Sequence, residues 1–241
     1  MEGSGAFSLV ELMVTIAIIA LLAALLLPAI SRSKQKARTI ACVGNLRQLG
    51  LGLQSFVADN HGYPTLFGGT NTDQSHGWMY QLEHGGFDVS KPKKGYWTEG
   101  VWRCPSARWS TADPPMEPAF CYSYNACGVS GLNPRNQYLG LSGQPISRAE
   151  GCVPIKESEV VCPSDTMAMG DSFDGDHVFG RGFLTHKENV GFASSRHAGK
   201  VDIVFCDGHV ESPPLKMVFE DTNDAALVRW NRDHQPHRER L

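Results

Sequence analysis

The sequence predicts an α+β protein in which a long N-terminal helix packs on a C-terminal globular domain with an antiparallel β-sheet. Three observations predict it. The segment 7–30 is apolar almost throughout and contains one ionisable residue, Glu11. Apolar residues at steps of three or four form a stripe from Ile40 to Phe56, which continues the helical pattern to about residue 57 and should be buried against the globular domain. Near the C-terminus, two extended runs flank Asp207 and Gly208, which is a strong β-hairpin signal.

The first half of the helix is long enough to cross a membrane. A helix rises about 1.5 Å per residue, so segment 7–30 reaches roughly 36 Å, against a hydrocarbon core of about 30 Å. After Glu11 the run is apolar apart from Thr15 and Pro28. A carboxylate inside such a helix costs about 2.5–3.5 kcal/mol on insertion and usually marks a partner. We therefore expect Glu11 to have a specific partner.

The residues around Glu11 resemble the N-terminus of the type IV pilin and type II secretion pseudopilin superfamily. Residues 5–13 read GAFSLVELM and lead directly into the apolar run. In that family a prepilin peptidase cuts after a small residue and methylates the new N-terminal Phe. The resemblance implies cleavage between Ala6 and Phe7, N-methylation of Phe7, and a leader peptide at 1–6.

The same resemblance implies roles for two further residues and a set of partners. Glu11 matches the glutamate that pairs with the N-terminal amine of a neighbouring subunit in the fibre. Pro28 matches the proline that kinks or loosens the pilin helix. The implied partners are other pilin-like subunits, prepilin peptidase and an inner-membrane assembly platform. The implied location is the bacterial inner membrane, crossed once, with the C-terminal domain in the periplasm or on the cell surface.

The charge and the cysteine content of the chain bear on its partners, its membrane topology and its disulfides. The net charge is -3, so no basic surface for nucleic acid is indicated. Four basic residues within 32–38 follow the apolar run. The positive-inside rule alone would place that end in the cytoplasm, opposite to the family topology. There are seven Cys, so an exported domain could hold up to three disulfides, and the sequence does not give their pairing.

The chain divides into the leader, a pilin-type helix at 7–58 with its transmembrane part at about 7–30, and an exported globular domain at 59–241. Asn60, Gly62 and Pro64 supply the signals that end the helix. Further predictions are a helical turn or short strand at 78–82, short strands at 101–106, 121–125 and 166–171, a loop with little regular structure at 128–158, and a short terminal helix at 223–233.

A second resemblance lies in the C-terminal part of the chain. His197 is followed, after nine residues, by Asp207 and Gly208. This resembles the signature of a subgroup of pilin-like proteins with large C-terminal domains. The subgroup is known by its pattern, so the resemblance implies membership and no reaction. The simpler interpretation is a two-residue type I′ turn at Asp207-Gly208 and a loop-holding hydrogen bond from His197.

One acidic loop is a candidate metal site. Asp171, Asp174 and Asp176 lie close together in a Gly-containing segment. Closely spaced carboxylates suit calcium, which takes six to eight oxygen ligands. The loop is not an EF-hand, since no Glu occupies the twelfth position. The alternative is a solvated acidic loop, and no other cofactor is expected.

We interpret the chain as a structural subunit of a type IV pilus or type II secretion pseudopilus, and not as an enzyme. Neither a Gly-x-Ser-x-Gly elbow nor a Walker loop occurs in the sequence. A triad of Ser194 or Ser195 with His197 and Asp207 would need a geometry that sequence does not show. The size of the domain favours a minor or specialised subunit.

The alternative function is a membrane-tethered envelope domain that uses a pilin-type anchor and binds a carbohydrate or another surface ligand. Exposed aromatic side chains in loops can stack on sugars, and a binding domain would use them in this way. The candidate residues are Trp78, Trp97, Trp102, Trp109 and Trp230.

Overall fold

The long N-terminal helix, α1, spans Leu9–Asn60 without interruption. His61 ends it in the left-handed conformation, and the His61 backbone N–H donates to the Val57 carbonyl. The predicted helix and its stop are therefore confirmed. This computed structural model describes residues 8–66, 77–87, 99–107, 120–130, 138–147, 151–172, 178–179 and 196–241.

Helix α1 has an exposed half and a buried half. Its side chains are exposed from Leu9 to Arg38, and full burial begins at Cys42. The predicted apolar stripe starts too early, because Ile40 is 72% exposed. The residues of α1 buried against the globular domain are Cys42, Leu46, Leu49, Gly50, Leu53, Phe56 and Val57.

The described part of the globular domain contains seven strands. In chain order they are β1 (Tyr122–Asn125), β2 (Gln144–Ser147), β3 (Gly151–Val153), β4 (Met167–Asp171), β5 (Val178–Phe179), β6 (Ile203–Phe205) and β7 (Val210–Glu211). Five of them form one sheet in the order β5-β1-β4-β6-β7. Its four strands from β1 to β7 are antiparallel, and β5 adds in parallel to β1. The α+β fold with an antiparallel sheet is confirmed.

Two local predictions are wrong. The segment predicted as a strand at 101–106 begins as a 3-10 helix, Gly100–Trp102. Trp102 is buried in the core, and its indole N–H donates to the Glu83 carboxylate at 2.9 Å. The predicted loop at 128–158 contains the two-stranded antiparallel sheet β2-β3. Pro145 obscures that ribbon in the sequence, although proline is tolerated in a strand that pairs on one side only.

Short helices complete the domain. They are α2 (Gly77–His84), α3 (Leu215–Phe219) and α4 (Asp224–Leu227). The segment 78–82 is therefore helical. The predicted terminal helix at 223–233 is present as α4 and a following 3-10 turn, Val228–Trp230. The Asn223 side chain caps α4 by accepting from the Ala226 N–H at 2.9 Å.

Aromatic side chains join α2 to the sheet. Trp78 stacks on Tyr124 of β1 with ring centroids 5.2 Å apart, and its edge meets Trp102 at 5.7 Å. At the other end of the domain, the Trp230 indole N–H donates to the Val218 carbonyl at 3.1 Å. All three tryptophans are buried, so their rings stabilise the core by burial and by aromatic contact.

One disulfide, Cys42–Cys104, ties α1 to the segment after the 3-10 helix Gly100–Trp102. Among the other cysteines, Cys121, Cys162 and Cys206 are free thiols. Cross-linking positions 62 residues apart restricts the unfolded chain and typically stabilises a fold by about 2–4 kcal/mol.

Asn125 holds three parts of the domain together, and we predict that Asn125→Ala destabilises it by about 3–5 kcal/mol. Its fully buried side chain donates to the Met167 carbonyl at 2.7 Å and to the Trp230 carbonyl at 2.8 Å. It also accepts from the Gly128 N–H at 3.1 Å. The substitution leaves these buried backbone groups unpaired.

Urea denaturation followed by tryptophan fluorescence measures the effect of Asn125→Ala. The control is Asn223→Ala, which removes only an exposed helix cap and should cost about 1 kcal/mol. Equal losses in the two variants would show that the buried amide does not join the three segments.

Candidate functional site

The N-terminal tip of α1 is the first candidate site. The Ser8 hydroxyl accepts from the Val10 N–H at 3.3 Å, and the Glu11 carboxylate accepts from the Ser8 N–H at 3.0 Å. This is a capping box, in which two N–H groups without helical partners are satisfied by side chains. The Glu11 carboxylate therefore lies at the positive end of the helix dipole. Ala6 and Phe7, the predicted cleavage site, lie outside the described residues.

The surface behind this tip is apolar apart from Thr15. The span from Leu9 to Ile30 is long and apolar enough to cross a membrane, and none of its most apolar stretch is buried in the protein. Pro28 lies inside the helix and removes one backbone N–H, yet α1 continues through it. The Thr15 hydroxyl donates to the Leu12 carbonyl at 2.8 Å and so adds no unpaired polar group. This surface requires lipid or other helices around it.

The second candidate site is a buried group of ionisable residues at one end of the sheet. Asp171 is the last residue of β4, and Asp202 immediately precedes β6. Antiparallel pairing brings them together, because the Asp171 N–H donates to the Asp202 carbonyl at 3.1 Å. His197 lies in the turn that leads into β6. We refer to Asp171, His197 and Asp202 as the Asp-His-Asp cluster.

Distances within the Asp-His-Asp cluster are short. His197 Nε2 lies 3.3 Å from Asp171 Oδ2 and 3.6 Å from Asp202 Oδ2. Both carboxylates are fully buried, and the imidazole is 3% exposed. Three polar atoms of the cluster, His197 Nδ1, Asp171 Oδ1 and Asp202 Oδ2, have no hydrogen-bond partner in the described structure. Such unpaired buried atoms are rare in native proteins.

Burial and charge oppose each other in this cluster. Burial acts to lower the pKa of His197, but the nearby Asp171 and Asp202 carboxylates outweigh it and raise that pKa above its usual value. Burial, reinforced by the Asp171 charge, raises the pKa of Asp202. Both directions follow from two carboxylates that share one imidazole away from water.

Neighbouring groups orient the cluster. Asp171 Oδ2 accepts from the Asp202 N–H at 2.9 Å, and Asp202 Oδ1 accepts from the Ser212 hydroxyl at 2.5 Å. The Arg196 guanidinium lies 3.9 Å from Asp171 Oδ1, while its Nη1 donates to the Ser172 carbonyl at 2.5 Å. His197 Nε2 is also 3.7 Å from Cys104 Sγ. The Cys42–Cys104 disulfide therefore borders the cluster.

The signature residues His197, Asp207 and Gly208 do not form one site. His197 precedes β6, whereas Asp207 and Gly208 follow it. Asp207 Oδ1 accepts from the His209 N–H at 3.1 Å and lies 2.5 Å from His209 Nδ1. Ser194 and Ser195, which a triad with His197 and Asp207 would require, lie outside the described residues.

The predicted two-residue turn at Asp207-Gly208 is wrong in length. The Phe205 N–H donates to the His209 carbonyl at 2.9 Å, which leaves a three-residue loop at 206–208. Within that loop only Gly208 has a left-handed φ, +87°. A three-residue hairpin loop uses one glycine in this conformation, whereas a type I′ turn needs two left-handed residues.

Among the predicted calcium ligands, Asp171 is buried in the Asp-His-Asp cluster, while Asp174 and Asp176 lie outside the described residues.

The sequence analysis did not identify Asp202 as a site residue. The signal was present, because Asp202 interrupts the apolar run 201–205 of a predicted strand. A charged residue at such a position is either exposed on an open face or paired inside the fold.

The N-terminal residues match the family model of the prokaryotic N-terminal methylation motif over residues 2–27. That match includes Ala6, Phe7 and Glu11, and it covers the start of α1. The chain carries the N-terminal motif of the type IV pilin and pseudopilin superfamily. This motif, matched over 26 of the 241 residues, implies processing by prepilin peptidase and assembly with other pilin-like subunits. Comparisons with curated proteins and with solved structures gave no match.

Proposed function

We propose that this pilin-like chain is a structural, non-enzymatic subunit of a type IV pilus or a type II secretion pseudopilus. The observation that carries the proposal is the position of Glu11. Its carboxylate caps the start of α1, and the next 19 residues of the helix lack any ionisable group. In the membrane, its hydrogen bond to the Ser8 N–H reduces the cost of the charge. In a filament, the same carboxylate is free to pair with the Phe7 amine of a neighbouring subunit.

The disulfide supports an exported globular domain. Disulfides persist in oxidising compartments, and Cys42–Cys104 lies on the far side of the basic residues 32–38. This supports the proposed location of the globular domain in the periplasm or outside the cell, although the positive-inside rule alone favours the reverse. A C-terminal domain of this size favours a minor or specialised subunit.

The alternative function, a tethered carbohydrate-binding domain, draws little support from the described tryptophans. Trp78, Trp102 and Trp230 are buried and cannot stack on a sugar. Trp97 and Trp109 lie outside the described residues. The filament proposal rests instead on Glu11, because a carboxylate inside an apolar helix usually marks a partner.

Crosslinking between helices separates the two functions. A photocrosslinking amino acid at Leu22, which is exposed on α1, should give a ladder of covalent oligomers in cells that make the assembly machinery. The same amino acid at Val161, exposed on the globular domain, is the control for random encounters. Mass spectrometry of the purified protein should find a mature N-terminus at methylated Phe7. Processed protein without a ladder at position 22 would favour the tethered domain.

A further inference from the structure

The polar atoms of the Asp-His-Asp cluster are spaced like the ligands of a metal ion. His197 Nε2 lies 3.3 Å and 3.6 Å from the two nearest carboxylate oxygens. All three atoms lie within 4.8 Å of one another. Both contacts exceed the usual N–H···O range of about 2.7–3.2 Å. Ligand atoms bound to tetrahedral Zn²⁺ at about 2.0–2.1 Å are separated by about 3.3–3.4 Å.

The cluster also contains an unpaired atom directed towards its centre. Asp202 Oδ2 is fully buried, lacks a hydrogen-bond partner and lies 3.6 Å from His197 Nε2. Its other oxygen is occupied by the Ser212 hydroxyl, which fixes the orientation of the carboxylate. In Asp171 the oxygen nearest His197, Oδ2, accepts from the Asp202 N–H at 2.9 Å, and this bond fixes the second carboxylate. Fixed carboxylates beside an imidazole are typical of metal ligands and their supporting hydrogen bonds.

We propose that Asp171, His197 and Asp202 bind one divalent transition-metal ion. A nitrogen ligand disfavours calcium, which is held by oxygen atoms. One imidazole with two carboxylates suits Zn²⁺ and related dications. The ion neutralises both carboxylates and fixes the turn before β6 to the ends of β4 and β6. This role is structural and does not depend on how the N-terminal helix assembles.

Metal content of the full chain, purified in detergent, tests the proposal. Denaturation with a chelator followed by refolding gives metal-free protein, and Zn²⁺ is then the probe. We expect one Zn²⁺ per chain after dialysis and a higher melting temperature once it is bound, because binding stabilises only the folded state. Co²⁺ in place of Zn²⁺ should give a visible absorption band that one equivalent of Zn²⁺ removes.

Substitutions test which side chains bind the metal ion. Asp202→Asn keeps the size of the side chain and an oxygen for Ser212, but it removes the ligand charge. His197→Gln removes the imidazole. Each should weaken Zn²⁺ binding by more than about 100-fold, beyond the loss seen for residues that only support ligands. His209→Gln is the matched control, since His209 contacts carboxylates of Asp207 and Glu211 on the surface and should bind Zn²⁺ like the unaltered chain.

Two results would overturn the proposal. One is unaltered protein that retains no Zn²⁺ and shows the same melting temperature with and without it. The other is Zn²⁺ binding that His209→Gln abolishes and Asp202→Asn preserves, which would place the ion on the surface. If the cluster variants fail to fold, the Co²⁺ spectrum and the Zn²⁺-dependent melting temperature of the unaltered chain decide the matter alone.

Discussion

Glu11→Ala is expected to abolish incorporation of the chain into filaments while leaving its insertion into the membrane intact. Removing one partner of a buried ion pair costs about 3–5 kcal/mol, because the other charge stays desolvated and unpaired. That cost corresponds to a loss of roughly 100-fold or more in the assembled fraction. Insertion should persist, since the apolar span from Leu12 to Ile30 is unchanged and the costly carboxylate is gone.

A second substitution at the same position separates charge from capping. In Glu11→Gln the side-chain oxygen can still accept from the Ser8 N–H, so the helix start survives and only the charge is lost. We expect Gln to block assembly almost as fully as Ala. Thr15→Ala is the matched control, since its hydroxyl bonds only within the helix, to the Leu12 carbonyl.

Assembly and membrane insertion of the Glu11 variants are measured in two cell fractions. Immunoblots of sheared filaments report assembly, and blots of the membrane fraction report insertion. Filaments at normal yield from both Glu11 variants would contradict the pairing role. Normal yield from Glu11→Gln alone would show that the carboxylate acts by capping the helix and not by its charge.

The N-terminal half of this protein could be predicted because its signals are local. The apolar run, the steps of three and four, and the residues that end α1 each lie within a few positions of the feature they determine. Strands β1 and β4 and the hairpin β6-β7 were also visible, as short alternating or apolar segments. Their lengths and loop types depended on single hydrogen bonds that composition does not reveal.

The buried cluster could not be predicted because it depends on pairing between distant segments. Asp171 and Asp202 meet only when β4 pairs with β6, in the register that places Gly170 opposite Ile203. His197 then reaches both from a turn. The Cys42–Cys104 pairing has the same origin, since 62 residues separate the two cysteines. The sequence shows that ionisable residues and cysteines lie in or near apolar segments, but only the tertiary structure shows which of them are partners.

Gly50→Ala is expected to lower the free energy of unfolding by about 2 kcal/mol, although alanine is the better helix former. Helix α1 crosses the hairpin β6-β7 at this residue. A Cβ atom on Gly50 would lie 2.7 Å from the Gly208 carbonyl oxygen and 3.1 Å from a Val204 methyl group. The first contact is with backbone, so the helix must move away from the sheet, and the packing of the neighbouring core residues is lost.

Gly44→Ala is the matched control for Gly50→Ala and should change stability in the opposite direction. A Cβ on Gly44 meets no atom within 4 Å, so alanine there should stabilise the helix by up to about 1 kcal/mol. Urea unfolding followed by tryptophan fluorescence measures both variants, because all five tryptophans lie in the globular domain. Two stabilising substitutions would show that α1 and the hairpin do not approach this closely. Opposite signs would assign Gly50 and Gly208 to the contact that docks the assembly helix on its domain.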